Sequence, residues 1–197
     1  MAFEIPKLQY KNVDLLGNTA ISSGVITGIT PTTNIEVGMF VRGTGIPAGA
    51  LVGSKTANTV TLASGVLATA NGINVPLSFG YEIIFDYPPI EPTGENYETV
   101  SNISESISGV RQRSVNRVEA LRKMKFSFLS PTLFTQVNTF LTTHALYGKT
   151  FRYFENKNLT SYTSYELESL KIAPRKIASR GATQFVWEVP LTFYRVL

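Results

Sequence analysis

The side chains that could do chemistry in this sequence are few. His144 is the only imidazole and cysteine is absent. That excludes a thiolate nucleophile, a cysteine-bearing zinc site, and any relay or metal centre that needs two imidazoles. No serine elbow accompanies His144, which stands near the end of a helical pattern, where the exposed carbonyls favour a cation. A capping or core-edge role is expected. Carboxylates occur in pairs. Glu166 and Glu168 share one face of a strand pattern whose Tyr165 and Leu167 point the other way, while Glu95 and Glu98 fall in a turn-rich stretch. Both pairs read as solvated surface, not as a general acid and base. Gly43-x-Gly45 has the spacing of a phosphate loop, but Pro47 and a further strand follow instead of a helix, so a structural turn is expected. No P-loop, metal loop or kinase-like set occurs. No catalytic residue, cofactor or metal ligand is therefore assigned, and no enzyme is expected.

Charge carries more information. Tyr81 to Val110 holds six acids (Glu82, Asp86, Glu91, Glu95, Glu98, Glu105) and no base. The next fifteen residues hold six bases (Arg111, Arg113, Arg117, Arg122, Lys123, Lys125) and one acid, Glu119. A net charge of +4 is too small to name a nucleic-acid partner, and no aromatic interleaves the basic run before Phe126. A solvated face is the plain reading. The sharper one is charge matching between copies, because a heterologous interface joins two different patches of identical subunits. Arg111, Arg113 and Arg117 with Glu91, Glu95 and Glu98 are the candidate inter-subunit contacts.

The elements that must position these residues divide in two. Between Gly17 and Gly80 only Glu36, Arg42 and Lys55 are charged, whereas 11 of the 15 glycines and ten threonines lie there. This is the composition of short strands joined by tight turns. An all-β module over 17–80 is expected, inserted into a body formed by 1–16 and 81–197. Within the module, strands are expected at 24–29, 37–42, 51–55, 59–62 and about 73–79, with a hairpin turn at Ala57-Asn58. In the body, Tyr81–Tyr87 reads as a strand stopped by Pro88-Pro89, and Ile90 to about Asn102 as a loop. Val118–Leu129 reads as a strand with Met124, Phe126 and Phe128 facing the core.

One helix is expected from Ser130 to Gly148, with a serine cap, proline at its first position and an apolar stripe of Leu133, Phe134, Val137, Phe140, Leu141 and Ala145. Strands at 150–154, 165–172 and 185–193 complete the body. In the last of these Phe185, Trp187, Val189, Leu191 and Phe193 share a face, and Pro190 marks an edge or bulge. The fold class is mainly β (α+β) and antiparallel. No apolar run is long enough to span a membrane, and the opening MAFEIPKLQY lacks the order of a signal peptide, so synthesis in the cytoplasm without membrane insertion is expected.

Gly24-Val-Ile-Thr-Gly-Ile29, Val37-Gly-Met-Phe-Val-Arg-Gly-Thr-Gly-Ile-Pro-Ala-Gly49 and Thr59-Val-Thr-Leu62 resemble the small β module inserted in many tailed-bacteriophage structural proteins. The order of the body is similar to phage minor tail proteins of the distal-tail and tail-tip type: a basic stretch from Arg117 to Phe128, a helix carrying Phe140-Leu141 before His144 and Gly148, Phe151-Arg-Tyr-Phe154, and a closing Leu191-Thr-Phe-Tyr-Arg-Val-Leu197. The resemblance implies a tail-tube-like β-barrel or sandwich flanked by a helix. It also implies a virion protein, a homo-hexameric ring joining the tail tube to the host-facing tip, with other tail proteins as partners and DNA only in transit through the lumen. Tail tube and tail terminator proteins share this architecture. A carbohydrate- or cell-surface-binding module, using Trp187 and the nine tyrosines, is the alternative from another class.

Overall fold

The computed structural model describes residues 4–89, 96–105, 111–168, 174–180 and 184–196. It is mainly antiparallel β-sheet with one α-helix. The chain divides into two compact units, Gln9–Glu82 and Met1–Leu8 with Ile83–Leu197. It passes between them inside two long strands, β1 (Lys7–Thr19) and β6 (Gly72–Ile84).

The first unit is the Gly/Thr-rich module. Between β1 and β6 it carries β2 (Val25–Thr27), β3 (Phe40–Gly43), β4 (Val52–Lys55) and β5 (Thr59–Leu62). In Thr59-Val-Thr-Leu62 the two apolar residues are buried and the two threonines half-buried, as the period of two demands. The strands follow in the order β4-β5-β2-β1-β6-β3. The two outermost strands then meet through an isolated bridge, Phe40↔Leu51, and hydrogen bonds from Val41 N–H to Ala50, Gly38 N–H to Val52 and Val52 N–H to Met39. Strand pairing does not close the sheet into the barrel the resemblance implies, but these bonds join the two module edges over 38–41 and 50–52. Ile26, Ile29, Ile35, Met39, Val41, Val52, Val60, Leu77 and Phe79 form the core. Two glycines allow the backbone to close on Leu77: a Cβ at Gly17 would lie 2.7 Å from Leu77 Cδ1, and one at Gly43 2.5 Å from Leu77 Cδ2 and 2.6 Å from the Pro76 carbonyl oxygen.

The second unit holds β7 (Asn96–Glu105), β8 (Arg111–Leu129), α1 (Pro131–Thr143), β9 (Phe151–Phe154), β10 (Thr163–Leu167), β11 (Arg175–Arg180) and β12 (Gln184–Arg195). Its strand order is β9-β10-β12-β8-β7, with β11 also on β12. Ser130 Oγ accepts from the Leu133 N–H at 3.2 Å, and Pro131 opens the helix. Leu133, Val137, Phe140 and Leu141 are its buried stripe. Phe134 stacks on Trp187 of β12, with ring centroids 4.2 Å apart. Beneath them Phe140 and Phe193 both meet the Phe151 ring edge to face, and Phe85 stacks on Phe126 at 4.0 Å.

Several local expectations change. The strands expected at 73–79 and 81–87 are largely one, β6, because no turn interrupts the ladder. The stretch from Ile90 to Asn102 is not all loop: β7 begins at Asn96. Its polar text, Asn-Tyr-Glu-Thr-Val-Ser, has no apolar alternation, and pairing with β8 makes it a strand. The helix ends at Thr143, five residues before Gly148. His144 has φ −136° and ψ −64°, and a 3₁₀ turn over Ala145–Tyr147 follows, which Gly148 ends at φ +65°.

Phe128 does not face the core. It is 56% exposed while Ser127 and Leu129 are buried, because the register with β12 slips between Trp187↔Leu129 and Val189↔Phe126. The slip is taken up at Phe128, whose φ is +61°. Pro190 is not on an edge: β12 is an inner strand, and Pro190 pairs with Lys125 of β8. It is tolerated beside that slip, between the residues β12 shares with β11 (184–188) and those it shares with β10 (193–195), where one flank of the strand has the fewest ladder bonds to lose.

Candidate functional site

The groups that could do chemistry serve structure. Nε2 of the buried His144 lies 2.8 Å from the Thr150 carbonyl oxygen. That oxygen can only accept, so Nε2 carries the hydrogen. The His144 backbone N–H donates to Phe140 and closes the helix. Glu166 is half-buried and Glu168 exposed, beside buried Tyr165 and Leu167. Gly43 and Gly45 form a turn: Ile46 N–H donates to the Gly43 carbonyl and Thr69 N–H to that of Gly45. Trp187 is half-buried, with one face covered by Phe134.

All three charged residues of the Gly/Thr-rich stretch are engaged. Glu36 accepts both contacts of Lys11, at 2.8 and 2.9 Å, and the Tyr81 hydroxyl at 3.0 Å. Tyr81 stacks on Tyr10. The Lys11 hydrogen bond, opposed by partial burial, holds the Glu36 carboxyl below its ordinary range. Burial and the Glu36 hydrogen bond push the Tyr81 hydroxyl up to about 12. Arg42 forms a two-pronged pair with Glu82, at 2.9 and 2.6 Å, and Gln9 donates to the same carboxylate. Lys55 caps the carbonyls of Thr32 and Thr33.

Part of the basic run is internal as well. Arg122 forms a two-pronged pair with Glu155 and lies over the Tyr153 ring, 4.9 Å from its centroid. Burial draws its pKa down, but the hydrogen bonds to Glu155 and Tyr165 and the Glu155 charge outweigh this and raise it. Lys125 Nζ is 3.9 Å from the Glu188 carboxylate, which also accepts from Ser127 Oγ at 3.1 Å. Among the described residues no group of three or more His, Cys, Asp or Glu could hold a metal ion, and no helix is long and apolar enough to cross a membrane.

Of the six candidate contact residues, Glu91 and Glu95 lie outside the described residues. Glu98 is in β7 and Arg111, Arg113 and Arg117 are in β8, and the two strands are antiparallel neighbours in one chain. Arg117 registers with Val100, Arg113 with Ile103, Arg111 with Glu105, and Glu98 with Glu119. A register shift between Val100 and Ser101 separates Arg117 from Arg113, so the three arginines do not follow one uninterrupted two-residue period. Of the acidic run, Glu98 and Glu105 thus lie on the strand beside the basic one within the protein, and Glu105 registers with a base, Arg111.

The same registers define an arm. β12 pairs with β8 only over 121–129, whereas β7 pairs with it over 111–121. Over 111–120 β8 therefore has β7 as its sole paired strand among the described residues, and β7 has only β8. β11, a second strand with one partner, pairs only with β12. Sequence reasoning missed this strand. Arg175-Lys-Ile-Ala-Ser-Arg180 has β-branched or apolar residues only at its centre and no turn pair that announces a hairpin. The chain matches no protein-family model, no curated protein and no solved structure.

Proposed function

We propose that the protein is a structural subunit of a tailed-bacteriophage tail, at the distal-tail or baseplate-hub ring, and that its function is assembly. The observation that carries this reading is where unused bonding capacity lies. Glu36, Arg42, Lys55, Arg122 and His144 are tied into ion pairs and caps, and the two module edges are bonded to each other over 38–41 and 50–52. By contrast, β7, the first half of β8 and β11 present backbone donors and acceptors with no paired strand among the described residues. Open edges recruit strands from other chains unless they are covered. The resemblance of the Val37–Gly49 phrase to phage structural modules supplies the setting: a ring of copies, with tail tube and tip proteins as neighbours and the lumen passing DNA. The edge expected at the Pro190 strand and at the module is replaced in this reading by the arm and β11.

The test is localisation. Particles released from cells carrying the gene should contain the chain by mass spectrometry, and gold-labelled antibody should mark the tail at the end away from the head. Tailed particles that lack the chain, or label confined to the head, would overturn the assignment.

A further inference from the structure

We infer that the open edge of β7 is completed by β11 of a second copy of this chain, so that copies join head to tail through one intermolecular sheet. This deepens the assembly reading and rests on it only for the biological setting. A ribbon of two strands is marginal in water without a third strand or a packed face. The arm formed by β7 and residues 111–120 of β8 is such a ribbon among the described residues, and it therefore calls for a partner strand.

Direction, charge and length all select β11. The pairings β11–β12, β12–β8 and β8–β7 are each antiparallel, so β11 and β7 run in opposite directions on the two flanks of the set. A second copy in the same orientation, shifted along the strands because β7 flanks residues 111–121 of β8 whereas β11 flanks β12 near its Trp187↔Leu129 pair, brings its β11 against β7 antiparallel and continues the alternation. β7 contains Glu98 and Glu105 and no base, whereas β11 contains Arg175, Lys176 and Arg180 and no acid. The base-rich strand β8 already lies on one side of β7 within its own chain, and among the described residues no strand lies on the other. The six residues of β11 fit within the ten of β7. The two patches differ, which makes the contact heterologous: copies added the same way close into a ring if the rotation allows.

The experiment reverses the charges. One variant carries Glu98→Lys and Glu105→Lys, a second carries Arg175→Glu, Lys176→Glu and Arg180→Glu, and a third carries all five changes. Far-UV circular dichroism and thermal melts report folding, and sedimentation and light scattering report association. Each partial variant should associate at least about 100-fold more weakly than the natural chain, since like charges brought together across an interface cost several kcal/mol. The five-fold variant, and an equimolar mixture of the two partial ones, should recover association. A natural chain that stays monomeric up to about 100 µM, weak for a built interface, overturns the inference, as does association that the partial reversals leave unchanged or that the five-fold change does not restore.

A second arm leaves the charges alone and uses the absence of cysteine. Chains carrying Ser101→Cys or Asn102→Cys are mixed with chains carrying Ala178→Cys or Ser179→Cys and oxidised. Crosslinks between the two kinds of chain should exceed those within either kind, and equal or lower yields overturn the pairing. If the chains associate as described but are missing from tailed particles, the phage setting fails and the strand exchange stands.

Discussion

At the scale of single residues, two placements have measurable consequences. Phe128 holds φ +61°, a left-handed conformation that costs a residue with a Cβ about 1–2 kcal/mol. Its 56%-exposed ring meets Tyr87 edge to face, with centroids 6.1 Å apart. Phe128→Gly should therefore melt higher than Phe128→Ala, by about 1 kcal/mol of stability in denaturant titrations. Both lose the ring and differ only in the backbone.

The Glu36–Tyr81 pair makes the module respond to pH at both ends. The Tyr81 hydroxyl moves from the ordinary value near 10 to about 12 on folding. The folded state thus prefers the protonated form, and this contribution is complete below pH 10 and lost as pH rises through 12. Glu36 is lowered, so its contribution is present above the ordinary carboxylate range and lost on acidification. Melting of Tyr81→Phe should show a smaller alkaline fall between about pH 10 and 12 than the natural chain, the remainder coming from groups such as Tyr10, whose hydroxyl is also raised by burial, while keeping the acid fall that the Lys11 bond to Glu36 gives.

At the scale of elements, caps and close approaches decide where strands and the helix stop. Ser130→Ala removes the only side-chain cap on α1 and should cost about 1 kcal/mol of body stability. Gly43→Ala places a methyl 2.5 Å from Leu77 Cδ2 and 2.6 Å from the Pro76 carbonyl oxygen. Overpacking of this kind costs about 1–3 kcal/mol, and the module's unfolding midpoint in urea should fall accordingly. The end of α1 at Thr143 follows from His144, whose ring turns in to the Thr150 carbonyl and whose backbone leaves the helical region. Gly148 was a correct signal for a left-handed stop, but it ends the 3₁₀ turn that continues the helix.

At the scale of the whole molecule, the described strands with a single partner belong to the second unit or are bridged in the first. In the proposed assembly, that asymmetry places the contact between copies in the body. A chain in which 96–120 is replaced by a short Gly/Ser turn should keep the circular dichroism and melting of its remaining strands and sediment as a monomer at every concentration. Salt acts in the same direction: raising ionic strength from about 0.05 to 0.5 M shortens the screening length severalfold and should weaken association between acidic β7 and basic β11. Its effect on the module's melting should be small, since Arg42–Glu82 is held by two short hydrogen bonds against a carboxylate only 13% exposed.

The sequence by itself determined the class of the fold, most strands of the module, the start of the helix, and the structural use of His144 and of Gly43-x-Gly45. These depend on local periods, caps and turn residues, which are written in neighbouring positions. It also excluded cysteine and two-imidazole chemistry outright, because absent side chains cannot be supplied by folding. Only the tertiary structure decided the rest. Phe128 points outward because a register slip against β12 breaks the alternation that a reading of β8 alone must assume. Pro190 sits on an inner strand because the ladder bonds it cannot make fall where one flank is thin. Arg122 left the basic run for Glu155, a partner 33 residues away. The strands with open edges, β7 and β11, carry little hydrophobic pattern, and whether an edge is open depends on which distant strands pair elsewhere.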